Sequence, residues 1–423
     1  MLPSSSATNS SAANRRDPTL SRRASTGGSS VIRDLLRLVD RPGMLSLAGG
    51  LPAPELLPVA RIDQASRRVL AQCGARALQY APTEGMDELR SRVGADLQAP
   101  LDNIIITTGS QQAIDLLSRC LVDPGDVVVV ESPGYLGALQ AFIAADADLH
   151  AVPADGDGLC TDALESQLRA GLRPRLVYVV ATFQNPSGAT LSPDRRRHLA
   201  ALAEEFGFVI VEDDPYGELR FRGDRPTRLR ELTDRAVTLG TASKTIAPGL
   251  RVGWAAAPGW LQPALVRAKQ ATDLHTSPLT QLIVADILTD HAFMAAHLSI
   301  VRSTYQRRAE TLVAALRSEL GTRIEVADPT GGMFAWVHFV DGTDTSELLV
   351  AALAANVAFV PGSAFVTSVK PGFGGPASSH VRACFATLDE EALTEAARRL
   401  ATVCSRQAPD RSRLAPTDRA VRG

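Results

Sequence analysis

The sequence predicts an α/β protein whose larger part is a mostly parallel sheet with helices on both faces. Two observations support this: short apolar runs of strand length, and helical segments that separate them along the chain. The candidate strands lie at residues 104–107, 127–130, 176–180, 208–211, 236–239 and 252–256. They are continuous apolar runs rather than alternating ones, as expected for strands that are covered on both faces. In such sheets, ligands bind at the carboxyl ends of the strands.

The clearest helix signal lies between the third and fourth candidate strands. Ser192 is a favoured N-cap residue, and Pro193 stands at the first helical position. Gly207 then provides a C-terminal stop, so we expect a helix between these residues. Strands that alternate with helices in this way are typical of a parallel sheet flanked on both sides.

Composition and periodicity divide the chain into five expected segments. These are a disordered extension (1–30), a segment packing with the small domain (31–45), a large domain (46–285), a smaller α+β domain (286–404) and a disordered tail (405–423). The extension is rich in Ser, Ala, Thr and Asn, which is typical of disorder. A mitochondrial transit peptide is the alternative, but an amphipathic apolar stripe is not evident.

Charge and cysteine content exclude several classes of protein. The formal net charge of −2 gives no reason to expect a nucleic-acid or anionic-membrane partner. The apolar runs are too short to span a bilayer. The five cysteines are odd in number, widely spread and without paired metal-ligand spacing, so we expect reduced thiols and no metal. We therefore expect a cytoplasmic protein.

Lysine is scarce, and the position of one lysine suggests chemistry. The chain has only Lys244, Lys269 and Lys370, against 41 arginines. Arginine stays protonated and cannot act as a nucleophilic amine. Lys244 follows the apolar run 236–239 and lies among small hydroxylated residues, a setting that suits Schiff-base chemistry. A codon bias toward arginine would explain the scarcity but not these surroundings.

Polar residues follow three of the candidate strands. Gly109 and Ser110 open a helix whose free N–H groups would bind a phosphate, although such turns are usually simple caps. Asn185 lies in an Asn-Pro-x-Gly turn, and its amide would otherwise bind a ligand oxygen. The acids 212–214 either cap the next helix or supply a carboxylate that keeps a ring nitrogen protonated.

Two arginines stand near these segments. Arg251 follows Lys244 and would clamp a phosphate, and Arg382 follows a strand residue and would bind a carboxylate through its bidentate fork. With 41 arginines in the chain, each is by itself more typical of a surface or structural arginine.

Taken together, these segments resemble the fold type I, pyridoxal-phosphate-dependent aminotransferases of class I/II. The resemblance is strongest to the kynurenine/2-aminoadipate aminotransferase branch and covers residues 31–400. The matching strings are SLAGGLP (46–52), LQYAPTEG (78–85), EDDPY (212–216), SK (243–244) and GLRVG (249–253). The resemblance implies a large domain with a mostly parallel seven-stranded sheet and a smaller α+β domain.

The resemblance also implies roles for individual residues. Lys244 would carry pyridoxal phosphate as a Schiff base, Asp213 would pair with its ring nitrogen, and Tyr216 would contact its phenolic oxygen. Asn185 would also contact the phenolic oxygen, and it would help Arg382 to bind the substrate carboxylate. The other implied contacts are Ser110, Gln111, Thr241, Ser243 and Arg251 at the phosphate, Tyr135 and Pro215 on the ring faces, Gly50 in the substrate pocket, and Tyr80 in the neighbouring subunit's site.

The implied activity is a ping-pong transamination between an L-amino acid and a 2-oxo acid, with 2-oxoglutarate as the expected acceptor. The resemblance further implies a homodimer with its sites at the interface. Arg33 lies in a segment resembling a mobile helix that meets acidic side chains, or it is an exposed helix arginine. Another pyridoxal-phosphate reaction, such as elimination, replacement or cyclisation, is the main alternative. A cofactor-sensing regulator is disfavoured because we expect no DNA-binding domain in the first thirty residues.

Overall fold

The computed structural model describes residues 41–366 and 377–406. The predicted extension, Arg33 and most of the predicted tail lie outside the described residues. The strands are β1 (Leu45–Ser46), β2 (Ile104–Thr107), β3 (Val127–Ser132), β4 (Asp148–Asp155), β5 (Gly158–Leu159), β6 (Leu176–Val179), β7 (Val209–Asp213), β8 (Ala236–Thr241), β9 (Gly253–Ala256), β10 (Ile324–Val326), β11 (Phe334–Phe339), β12 (Val357–Ala358), β13 (Val360–Pro361) and β14 (His380–Cys384).

The helices alternate with the strands of the large sheet and then dominate the last third of the chain. They are α1 (Val59–Cys73), α2 (Asp87–Leu97), α3 (Ser110–Leu121), α4 (Leu136–Ala144), α5 (Thr161–Arg169), α6 (Pro193–Phe206), α7 (Gln262–Asp273), α8 (Pro278–Thr289), α9 (His291–Leu320), α10 (Thr345–Ala354) and α11 (Glu390–Arg406). The predicted helix after Ser192 is confirmed as α6. The Ser192 side chain accepts from the Arg195 N–H at 3.4 Å, and Gly207 ends the helix with φ of 80°.

The large sheet has the order β2-β9-β8-β7-β6-β3-β4-β5. Strands β3, β4, β6, β7 and β8 pair in parallel, and β9 runs antiparallel between β8 and β2. The predicted mostly parallel sheet is confirmed: its seven strands are extended by β5, a two-residue strand antiparallel to β4. Strand β4 was absent from the candidate strands because its ends are polar and exposed at the edge of the sheet.

Both faces of the sheet are buried. Val177, Val179 and Ile210 pack with residues of α5 and α6 on one face. On the other face, Leu176 and Tyr178 pack with residues of α3 and α4. Alternate residues of one strand therefore enter different cores, which explains why the runs are continuously apolar.

The last third of the described chain forms a second, antiparallel sheet with the order β10-β11-β14-β13. Strand β1 pairs in parallel with β12, Leu45 opposite Val357, so the beginning of the described chain joins this region. Helices α9 and α11 pack against each other over the sheet. The domain boundary near residue 285 stays a prediction.

Among the described residues, no single helix is long and apolar enough to cross a bilayer. Helices α8 and α9 meet the length and composition requirement only as a pair bent by 87°.

Candidate active site

A cleft of about 380 Å³ opens at the carboxyl ends of the parallel strands. This is the edge at which ligands bind in such sheets, and the volume suits a small-molecule site. It brings together thirteen residues that the sequence singles out: Gly50, Ser110, Gln111, Tyr135, Asn185, Asp213, Pro215, Tyr216, Thr241, Ser243, Lys244, Arg251 and Arg382. Leu51, Val180 and Pro248 complete the lining.

Lys244 lies in the turn that follows β8, with its amine in the cleft. Its Nζ donates to the Gly50 carbonyl at 2.7 Å. Burial lowers the pKa of Lys244 to about 8, and the positive charges of Arg382 and Arg251 act in the same direction. The amine is therefore neutral in a large fraction of molecules near pH 8, as a nucleophile or base requires.

The lowered pKa of Lys244 predicts how the apoprotein reacts with a small acylating reagent. Because only the neutral amine reacts, the labelling rate of Lys244 should rise with pH around an apparent pKa of about 8. In the denatured protein the same lysine should follow the ordinary value of about 10.4. Peptide mapping at a series of pH values measures both curves. Identical curves in the folded and denatured protein would contradict the burial argument.

The three consecutive acids at the carboxyl end of β7 have three different environments. Glu212 forms a buried ion pair with Arg196 at 2.7 Å, with both side chains no more than 2% exposed. Asp214 accepts the Gly217 N–H at 2.9 Å and so caps a short helical turn. Only Asp213 lines the cleft. The capping interpretation of these acids therefore fits Asp214, whereas Asp213 is available to a ligand.

Asp213 is buried with one oxygen bonded and one oxygen free. Its Oδ2 accepts the Tyr178 hydroxyl at 2.7 Å, while Oδ1 has no hydrogen-bond partner among the described residues. Burial raises the pKa of Asp213 to about 6, the Tyr178 hydrogen bond opposes the rise, and Asp214 adds to it. A buried carboxylate oxygen without a partner is costly, so this atom fits a cationic ligand group.

The opposite end of the cleft is suited to an anion. Gly109 is the N-cap of α3 without a side-chain cap, and its φ of 78° opens the turn. A Cβ at Gly109 would lie 2.7 Å from Nη2 of Arg251, so the guanidinium lies directly over the helix start. Thr241 Oγ1 donates to Ser243 Oγ at 2.8 Å beside it. A helix N-terminus, hydroxyls and an arginine together make a phosphate site.

Arg382 is almost fully buried and firmly oriented. Its Nη1 donates to Asn185 Oδ1 at 2.8 Å, and its Nη2 donates to the Ala48 carbonyl at 2.6 Å. The guanidinium lies 4.4 Å from the Phe334 ring centroid and 5.0 Å from that of Phe365. Its Nε has no hydrogen-bond partner among the described residues. Arg382 thus has donor capacity for a ligand in a site that fixes its direction.

The two tyrosines of the cleft remain protonated at neutral pH. Burial raises the pKa of Tyr135 to about 12. Burial also raises the pKa of Tyr216 above its usual range, and a hydrogen bond with Asn185 opposes the rise. Both phenols can therefore act as hydrogen-bond donors.

One expected site residue among the described residues, Tyr80, does not line this cleft. Its side chain is 77% exposed, and its ring packs edge-to-face with the His275 ring at 5.6 Å between centroids. Arg33 lies outside the described residues. Two further residues at the site were not predicted from the sequence. Tyr178 lies in an apolar run that indicates only core packing, and Phe334 packs against the Arg382 guanidinium.

Comparison with known proteins shows the family. The model for aminotransferases of class I and II matches residues 44–400. The chain belongs to this family.

Its relatives include several named transaminases. It is 41% identical to the 2-aminoadipate transaminase of Thermus thermophilus, over 88% of this chain and 92% of that protein. It is 38% identical to aromatic-amino-acid aminotransferase 1 of Thermococcus litoralis, over 88% of this chain and 90% of that protein. The structure of an α-aminoadipate aminotransferase from Thermus thermophilus, complexed with N-(5'-phosphopyridoxyl)-L-leucine, matches with a TM-score of 0.84 at 39% identity, covering 91% of this chain and 97% of that chain.

The aminotransferase is therefore a pyridoxal-phosphate-dependent enzyme that transfers an amino group between an amino acid and a 2-oxo acid. The predicted fold class, family, reaction type and cofactor are confirmed. The cleft fits the cofactor: Lys244 offers an amine of lowered pKa, Asp213 an unpaired buried oxygen, and Arg251 with the start of α3 an anion site.

Proposed function

We propose that this aminotransferase acts on acidic and aromatic L-amino acids with 2-oxoglutarate as acceptor, in a ping-pong reaction. One observation carries the proposal: Lys244, Asp213 and Arg382 line the same cleft. An amine, a carboxylate and a carboxylate-binding arginine are the groups that transamination requires.

We assign the cofactor-side roles as follows. Pyridoxal phosphate, when bound, supplies the electron sink for the substrate α-carbon. Asp213 Oδ1 keeps the ring nitrogen protonated because an opposite charge favours the charged form in a buried site. Tyr216 and Asn185 bind the phenolic oxygen. The remaining cofactor contacts are the phosphate ligands Ser110, Gln111, Thr241, Ser243 and Arg251, and the ring-facing residues Tyr135 and Pro215.

Lys244 first holds the cofactor covalently and then acts as the general base. Once free, its Nζ would take the proton from the substrate α-carbon and pass it to the former aldehyde carbon of the cofactor, and with the 2-oxo acid it would move a proton in the reverse direction. A pKa of about 8 suits both the removal and the delivery of a proton, because the neutral and protonated forms of the Lys244 amine are then close in free energy at working pH.

Arg382 is the proposed ligand of the substrate α-carboxylate. Asn185 and the Ala48 carbonyl fix its direction, and the two flanking rings restrict its movement. Holding the carboxylate there would fix the orientation of the α-carbon, so that the C–H bond rather than the bond to the carboxylate would be the one presented to Lys244. The arrangement therefore favours proton removal over decarboxylation.

The donor range is supported by the relatives, whose names include 2-aminoadipate and aromatic amino acids. Because Gly50 has no side chain, it leaves space for the side chain of the substrate next to the Phe334 ring. A Cβ at position 50 would occupy that space, only 3.2 Å from the ring. Arg33 remains the candidate contact for an acidic side chain.

A donor panel tests the proposal. Without acceptor, 2-aminoadipate, glutamate and an aromatic amino acid should each release one equivalent of 2-oxo acid per site, and adding 2-oxoglutarate should allow continued turnover. The Lys244→Ala protein, purified in parallel, controls for contaminating transaminases. Ammonia release without a stoichiometric first phase would instead indicate elimination. No reaction with any of these donors would contradict the proposed substrate range and favour a specialised amino acid.

We further propose a cytoplasmic homodimer with sites at the subunit interface. In one chain, Tyr80, Leu78 and Leu274 are 77%, 69% and 49% exposed, an apolar surface that a second subunit would cover. Tyr80 would then reach the partner's cleft. The five cysteines are all free thiols, which fits a reducing compartment. Sedimentation of a fully active monomer would contradict the dimer.

A further inference from the structure

Tyr178 contacts Asp213 but does not itself line the cleft. It belongs to β6, which pairs with β7, the strand that ends at Asp213. Its hydroxyl donates to Asp213 Oδ2 at 2.7 Å, and both residues are 2% exposed. The Phe142 ring of α4 contacts the Tyr178 ring at 5.8 Å between centroids. The donor is therefore held in place by the sheet on one side and by a helix on the other.

This hydrogen bond gives the two carboxylate oxygens different surroundings. Tyr178 occupies Oδ2, and Oδ1 has no partner among the described residues. Burial raises the pKa of Tyr178 well above its usual range, and the charge of Asp213 raises it further. The phenol therefore keeps its proton and donates a hydrogen bond to the carboxylate. A donor of this kind favours the ionised form of an acid that burial would otherwise neutralise.

We propose that Tyr178 is a positioning residue that acts through Asp213, holding the carboxylate ionised with Oδ1 free for the cofactor. This inference rests on the role proposed above for Asp213 as partner of the ring nitrogen. The other titratable groups acting on Asp213 are its neighbour Asp214 and the protonated phenols of Tyr135 and Tyr216. Within the described part of the chain, Tyr178 is the side-chain donor to Asp213.

The test uses the full-length apoprotein and measures its affinity for pyridoxal phosphate as a function of pH. Asp213 is ionised above its pKa, and losing the Tyr178 hydrogen bond raises that pKa. In Tyr178→Phe, affinity should therefore fall on acidification at a midpoint about one pH unit higher than in wild type. At alkaline pH the two proteins should approach the same affinity. Coincident midpoints would overturn the inference.

A matched control separates this effect from loss of a buried hydroxyl. The Tyr305 hydroxyl accepts the Ala53 N–H at 3.0 Å, and Tyr305 is 1% exposed. Tyr305→Phe should lower thermal stability without moving the pH midpoint. An equal shift of the midpoint in Tyr305→Phe would show that the effect is structural and would contradict the proposal.

Two further variants complete the test. In an Asp213→Asn background, Tyr178→Phe should no longer shift the midpoint, because the titrating carboxyl is gone. A 3-fluorotyrosine at position 178, a stronger donor of nearly the same size, should move the midpoint to lower pH even if Tyr178→Phe does not fold. If Asp213→Asn bound the cofactor weakly but neither change at position 178 moved the pH midpoint, only the inference about Tyr178 would be wrong. A fully functional Asp213→Asn would instead overturn the proposed role of Asp213.

Discussion

Lys244→Ala is expected to reduce the transamination rate by about four orders of magnitude, the upper end of what a positioned general base contributes. The substitution removes the group proposed to hold the cofactor and to move the α-proton. Its effect should be chemical rather than structural, because within the described part of the chain the Nζ makes one hydrogen bond, to the Gly50 carbonyl. Single-turnover rates with saturating cofactor measure the loss, and the variant should also retain the cofactor poorly on gel filtration.

Lys244→Arg is the matched control for charge. Arginine keeps a positive charge near the same place but cannot become neutral, so it can be neither nucleophile nor base. We expect it to be as inactive as the alanine variant. If Lys244→Arg kept more than a small fraction of wild-type activity, the lysine would contribute charge only, and its proposed chemistry would be wrong.

Asp213→Ala is expected to slow the reaction about a thousandfold. Breaking a buried charge pair costs about 3–5 kcal/mol, and each 1.36 kcal/mol is worth a factor of ten in rate. Without the carboxylate, the ring nitrogen loses the charge that keeps it protonated, and the electron sink weakens. Half-reaction rates with a fixed amino donor measure this effect separately from acceptor binding.

Asp214→Asn provides the comparison from the same tripeptide. Asp214 is also a buried acid whose pKa is raised to about 6. It accepts a hydrogen bond from the Gly217 N–H and does not line the cleft that contains Lys244. Its substitution should lower stability and leave the half-reaction rate near that of wild type. If the two variants were equally slow, burial of acids in this segment, rather than a contact with the ring, would explain the loss.

The strands and the site edge were predictable because both follow from short-range patterns. Strand β7 is an apolar run that is buried on both faces and ends in Glu212 and Asp213, so these acids must lie at its carboxyl end. Asp213 ends one strand of the large sheet, and Asn185 and Lys244 each follow another. Parallel strands place such residues at one edge, so the sequence order already predicts that they meet.

Other features depend on contacts that local patterns do not reveal. Arg196 of α6 pairs with Glu212 of β7 where the helix packs on the sheet, and neither spacing nor composition distinguishes this arginine from the others. Tyr178 occupies a position that any large apolar residue would fill, and its function depends on one hydroxyl contact. Strand β4 is covered on its outer side only by the two-residue strand β5, and only its middle residues are buried.

The role of Tyr80 depends on a second subunit, which a single chain does not contain. The resemblance implies a place for it in a neighbouring subunit's site, and in one chain its side chain is 77% exposed. A single chain provides the exposed apolar surface but not the surface that covers it. The role of Tyr80 therefore remains a prediction that depends on the oligomeric state.

Borohydride reduction of the loaded enzyme, followed by peptide mapping, tests whether Lys244 carries the cofactor. We expect one pyridoxyl group per chain, on the peptide containing Lys244, with Lys269 and Lys370 unmodified. Fully loaded protein in which reduction leaves Lys244 unmodified would contradict this expectation.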